Sequence, residues 1–448
     1  MANVFISFLG TNDYLHCTYY RDNFEEKDVR FVQEATIKYC CKNWDSEDRI
    51  VIFTTKEAKI KNWLDNGHIG RKTKKRKQCI GLKNCIDSLR LNQQLQQVDI
   101  PDGHNEDEIW EIFKIVYDHL HSGDKIIFDI THAFRSIPML AIVLLNYAKV
   151  LKNVSLAGIY YGAFEVLGSY NQASEKPLEK RRAPILDLTT FDQLMDWSFA
   201  VDRFLGAGDA KAISRLAKKA VAPVLKESKG KDRAAAAVKY VADALDTYTR
   251  TLATCRGLEI STSVEHLKQE LAKSKDVDLV KPLHPLFEHI SKQVDFFKGD
   301  IVSDGIQAAK WCLEHNLIQQ GFTILQETLI TYFIKCRGEK PDNKNQRGIT
   351  ASAISIFQHN IPVEQWTGIA GNLQEITWQY INLYKKEVEL VEVLDALIEL
   401  RNDLNHAGFR EQPMKSELFA KKLGELIDKT EHSFALHRPG KTVPVHKL

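Results

Sequence analysis

The chain changes character at residue 189, and that change limits what it can fold into. Before it, apolar runs rich in β-formers stand at 4–10, 49–55, 125–131 and 156–162, with helical patterns at 106–121 and 136–151. Runs that are continuously apolar, rather than alternating, suit strands covered on both faces, as in a parallel sheet. Strand and helix in this succession predict a Rossmann-like, doubly wound α/β domain, ending near Asp187 after a hairpin over 162–188. From Thr189 onward the strand signal fades. Amphipathic helical patterns at 191–205, 209–226, 233–256, 304–315, 317–335 and 384–406 predict an all-α region instead. A chain of 448 residues exceeds one ordinary domain. The expected division is 1–188, a ligand-sensing α/β domain; 189–300, a helical linker or insertion; and 301–448, a helical effector domain. Residues 338–348 read as a polar surface loop.

Composition closes off several classes. Hydrophobic residues at 44% and charged residues at 27% fit a soluble globular protein. No apolar run approaches the roughly 20 residues that span a bilayer, and the start of the chain lacks a basic n-region, so a cytoplasmic protein without a membrane partner is expected. Eight cysteines without a C-x-x-C pair argue against a structural metal, and no metal is expected. A formal charge of +2 neither demands nor excludes a nucleic-acid partner. The basic run at 71–77 reads as a solvated loop rather than a phosphate trap.

Two local patterns carry chemistry. Near the C-terminus, Leu390, Leu394, Leu397 and Leu404 mark an apolar stripe at helical spacing, and Arg401 stands where the stripe would place another apolar residue. A charge on a packing face is costly unless it is paired or solvated in a cavity, so Arg401 either bridges a carboxylate or faces a pocket. His406 follows five residues on, about 140° around the helix, so two copies facing each other would aim both groups at one phosphate more readily than one straight helix. Histidine titrates near neutral pH and arginine offers a fixed cationic fork. Together they suit cleavage of RNA by its own 2′-hydroxyl, without a metal. By spacing alone, an ordinary salt-bridged arginine and helix-end histidine remain open.

In the first domain, the ends of the strands bring together Gly10, Thr11 and Asn12, then Thr54 and Thr55, then Thr131, His132, Phe134 and Arg135 ahead of the helix starting at 136. Open α/β sheets bind ligands at that edge, and a helix N-terminus favours an anion there. Small hydroxyl residues with one arginine suit a phosphodiester ligand. There is no G-x-G-x-x-G and no P-loop, which disfavours a dinucleotide cofactor or a nucleotide triphosphatase. Thr131 and His132 capping a helix is the plainer alternative.

The run Arg401-Asn402-Asp403-Leu404-Asn405-His406 resembles the R-x-x-x-x-H motif of HEPN ribonucleases, and the segment from Ala308 through Gln326 and Glu327 resembles the first helices of that domain. Asp129-Ile130-Thr131-His132-Ala133-Phe134-Arg135 resembles the D-x-T-H-x-x-R stretch of CARF domains, and Gly10-Thr11-Asn12 after the first strand fits the same family. In that order the two motifs resemble the CARF–HEPN ribonucleases that accompany type III CRISPR systems. The likeness covers both ends of the chain; 190–300 matches less clearly.

The resemblance implies a homodimer or a larger assembly of dimers, with single-stranded RNA as substrate. It implies a cyclic oligoadenylate as activator, with cyclic tetra-adenylate expected and a ring of six also compatible with a two-fold pocket. Arg401 and His406 would be catalytic and Asn402 supporting, while Thr11, Asn12, Thr131, His132 and Arg135 would line the activator pocket. Degradation of the activator by the first domain is a further possibility, with Thr11, Thr131 and His132 the places to look. The rival expectation is a ligand-sensing regulator that binds nucleic acid without cutting it.

Overall fold

The structure is a computed structural model, and it describes residues 2–64, 67–70, 74–77, 79–131, 137–274 and 284–436. The chain divides into two compact units, Met1–Met195 and Asp196–Leu448.

The first unit is built on a mostly parallel sheet of eight strands among the described residues. These are β1 (Asn3–Leu9), β2 (Cys17–Arg21), β3 (Phe24–Val29), β4 (Arg49–Thr54), β5 (Gln94–Asp99), β6 (Lys125–Asp129), β7 (Ser155–Gly162) and β8 (Arg182–Asp187). Their order is β3-β2-β8-β7-β6-β1-β4-β5. Only β2 with β3 and β7 with β8 are antiparallel.

The continuous apolar runs behave as two-faced strands. Along β1, Val4, Ile6 and Phe8 pack into one core with Val51 and Phe53 of β4; Phe5 and Leu9 pack into another with Ile50 and Ile52. Helices Glu106–Asp118 and Ile137–Leu151 close the first face through Ile112, Val116, Leu144 and Leu145. Helices Val32–Cys41 and Leu82–Ser88 close the second through Ile37, Cys41, Leu82 and Ile86. The result is an α/β/α sandwich.

The second unit is helical and holds two cores. One draws on helices Lys211–Glu227, Arg233–Ala253 and Ile260–Ser274. The other draws on Lys344–Gln358, Gln374–Tyr384, Val388–Asn405 and Leu418–Leu436. Helices Ile301–Glu314 and Ile318–Cys336 serve both: Ala308, Trp311, Cys312 and Ile324 face the first core, while Ile306, Ala309 and Phe322 face the second. The expectation of a surface loop over 338–348 is corrected here. Asn343 caps a helix that begins at Lys344, its side chain accepting from the N–H groups of Asn345 and Gln346, so four of those polar residues belong to that helix's first turns. No helix among the described residues is long and apolar enough to cross a membrane.

Candidate functional site

Leu390, Leu394 and Leu397 are buried on the Val388–Asn405 helix, which packs antiparallel along Ile318–Cys336. Arg401 comes up one turn later on the same stripe, and of the sequence's two alternatives the pairing with a carboxylate is the one observed. Its Nη1 lies 3.6 Å from Glu327 Oε1 on the facing helix, a loose ion pair longer than a hydrogen bond. Its Nε is buried without a hydrogen-bond partner. Glu327 is held from its other side by Arg347, which ion-pairs with the carboxylate. The Arg347 guanidinium also donates to the Thr331 hydroxyl at 3.1 Å, the Pro341 carbonyl at 2.8 Å and the Glu327 carbonyl at 3.2 Å. Arg347 is therefore committed to structure, whereas Arg401 keeps donors in reserve.

The helix end is built to present His406. His406 is the C-cap, its N–H donating to the Asn402 carbonyl at 2.9 Å, and its side chain is exposed like that of Asn402. Beyond it the chain closes a Schellman turn: Ala407 N–H donates to the Leu404 carbonyl and Gly408 N–H to the Asp403 carbonyl, each at 3.1 Å. The left-handed C′ position is Ala407, at φ 53°, and Gly408 follows at φ 73°. Asp403 is buried, and its carboxylate accepts the Met414 N–H at 2.8 Å, pinning the outgoing loop. Asn405 accepts from Gln319 at 3.1 Å, fixing the helix end to its neighbour. Phe409, next to this turn, is 92% exposed. Sequence reasoning missed Asp403, Glu327 and Arg347. Asp403 lay inside the quoted motif, but nothing local marks Glu327 or Arg347 as partners of residues tens of positions away.

In the parallel core of the first unit, β4 and β5 lie on one side of β1, and β6 and β7 lie on the other. The topological switch therefore lies between the C-terminal ends of β1 and β6, where ligands of such sheets bind. Gly10, Thr11 and Asn12 follow β1 at that point, and Thr131 follows β6. The loop after β1 is clamped from beneath by buried Asn62, whose Nδ2 donates to the carbonyls of Gly10 at 2.8 Å and Asn12 at 2.9 Å. Asn62 Oδ1 in turn accepts from His68 Nε2 at 2.8 Å and from buried Arg30 at 3.3 Å. Burial holds the His68 imidazole below the usual histidine range, although Asp13 pulls it upward.

Asp13 also pairs with Lys77 and lies 3.6 Å from Arg30, so the end of the basic run returns to this loop instead of standing free in solvent. The hydroxyl of Thr131 donates to Asp129 at 2.5 Å and accepts the Gly162 N–H at 2.8 Å. Asp129 is fully buried, and desolvation raises its pKa against the hydrogen bonds from Thr131 and Thr36. Thr54 and Thr55 are buried as well: Thr54 accepts from Gln97 at 2.8 Å, and Thr55 caps the short helix after β4. These three threonines shape the edge through internal bonds. His132, Phe134 and Arg135 lie outside the described residues.

No protein-family model matches the chain. The chain is similar to the CRISPR-associated protein MJ1674 of Methanocaldococcus jannaschii, with 27% identity over 235 residues. That match spans 51% of this chain and 32% of the relative's length, and it supports a link to CRISPR-associated proteins.

Proposed function

We propose that this protein is a metal-independent endoribonuclease of CRISPR defence that cuts single-stranded RNA once a cyclic oligoadenylate binds its α/β unit. The observation that carries the reading is Arg401, a guanidinium with a buried, unpartnered Nε at the end of an apolar helix stripe, on the helix that His406 caps. A cation whose donors are not spent on protein suits the oxygens of a crowded phosphorane, where charge develops during cleavage. The ribose 2′-hydroxyl attacks phosphorus, giving up its proton; the bond to the 5′-oxygen breaks, and that oxygen takes a proton. The products are a 2′,3′-cyclic phosphate and a free 5′-hydroxyl. An exposed histidine is suited to proton transfer on this path. Two copies of the helix end supply the full set, one motif from each.

The activator belongs at the switch between β1 and β6. The backbone of Gly10–Asn12 is held there by Asn62, and Lys77 and Arg30 add positive charge around Asp13. The test is cleavage of a fluorogenic single-stranded RNA in EDTA, with and without cyclic tetra- or hexa-adenylate. Cutting that appears with one of them is expected. Binding without cutting would favour a ligand-sensing regulator instead.

A further inference from the structure

Beside the Arg401–Glu327 pair the second unit forms an open-sided cavity of about 510 Å³, large enough for a nucleoside. It opens between the turn at Arg256–Glu259, the start of helix Ile301–Glu314, one side of helix Ile318–Cys336 and the segment at Pro341–Asp342. Glu327 forms part of its wall and is the carboxylate that faces Arg401, so the cavity adjoins the phosphate-binding cation. A second sign of that proximity is Cys255, also in the wall: burial raises its thiol pKa, while Arg401 and Arg256 pull it back down.

The charges in the wall are not those of a phosphate trap. Arg256 and Arg347 are set against Glu259, Glu327 and Asp342, and Arg347 is already committed to Glu327. Leu258, Ile301 and Pro341 supply apolar surface. Glu259 and Asp342 are exposed, and their carboxylates make no ion pair among the described residues. Apolar side chains beside carboxylate acceptors without an ion pair suit a base bearing an exocyclic amino group. The N4 of cytosine is such a donor, and adenine and guanine carry others; uracil carries none.

We propose that this cavity is the base subsite of the ribonuclease, holding the nucleobase next to the scissile phosphate and selecting adenine, cytosine or guanine over uracil through Glu259 and Asp342. The inference rests on the ribonuclease reading above and adds what the enzyme recognises.

The experiment uses four single-stranded oligonucleotides with one ribose in an otherwise 2′-deoxy chain, carrying A, C, G or U on both sides of the cleavable bond. Activator-stimulated kcat/KM is compared for the full chain, and binding of the same set to His406→Ala protein is read by fluorescence anisotropy. One good carboxylate–amino contact is expected to favour amino-bearing bases over uracil by about tenfold, and the double variant Glu259→Gln, Asp342→Asn to shrink that ratio below about threefold. Equal affinity for all four oligonucleotides, or a preference unchanged in the double variant, overturns the subsite. Absence of cleavage by the unaltered chain, with the base preference in binding intact, overturns the ribonuclease reading and leaves the subsite standing.

Discussion

Arg401 is held loosely by Glu327 and His406 stands free at a helix end, and these two circumstances set different expectations for substitution. Arg401→Ala and His406→Ala are each expected to abolish RNA cleavage while leaving activator affinity within about twofold, measured by fluorogenic assay and calorimetry. Loss of both properties together would point to misfolding. Arg401→Lys is expected to recover little, because a point charge does not replace a planar fork on phosphate oxygens.

His68 belongs to the other site. It is buried and donates to Asn62, and its imidazole titrates lower in the folded chain than in the unfolded one. Its contribution is present above the unfolded histidine pKa of about 6.5 and is lost as pH falls through the folded value. Denaturation midpoints of the wild-type chain are therefore expected to drop between about pH 7 and pH 5, and less steeply in His68→Gln.

At this scale the sequence exposes one half of each pair. Arg401 is visible because a charge interrupts an apolar stripe. Glu327 and Arg347 are ordinary polar residues of other helices until the fold brings them together. Arg30 and Asn62 are equally silent, since only the folded chain buries them under the loop after β1.

At the level of elements, the turn that ends the motif helix carries a measurable cost. Ala407 occupies a left-handed position that glycine takes more readily, so Ala407→Gly is expected to stabilise the second unit by up to about 1 kcal/mol, near 2 °C in melting temperature. Asp403→Asn weakens the acceptor for the Met414 N–H. It is expected to loosen the loop after His406 and lower kcat more than it raises KM, which steady-state kinetics would separate.

Long periodic elements are legible in sequence. The helices expected at 191–205, 209–226, 233–256, 304–315 and 317–335 appear within a few residues, as do the four apolar strands. The strands that escape are β2, β3 and β5. β3 reads Phe-Glu-Glu-Lys-Asp-Val and β5 reads Gln-Leu-Gln-Gln-Val-Asp, and neither shows the apolar run of a buried strand because both lie at the borders of the sheet. β2 is short and polar in part, and its partners β3 and β8 are set by tertiary pairing.

For the whole molecule, two compact units predict two unfolding events in scanning calorimetry. An activator that binds one unit is expected to raise one transition more than the other; at about a hundred times its Kd the stabilisation approaches 2.7 kcal/mol. A single transition that shifts as a whole would mean that the units unfold together.

The bordering strands carry one more consequence. Unpaired strand backbones are templates on which neighbouring molecules add strands, yet β3 places Glu25, Lys27 and Asp28 in solvent. A copy of β3 added in parallel register would set like charges against one another. Strand addition at the β3 edge should therefore be disfavoured near neutral pH, and less so in acid, where carboxylates are protonated.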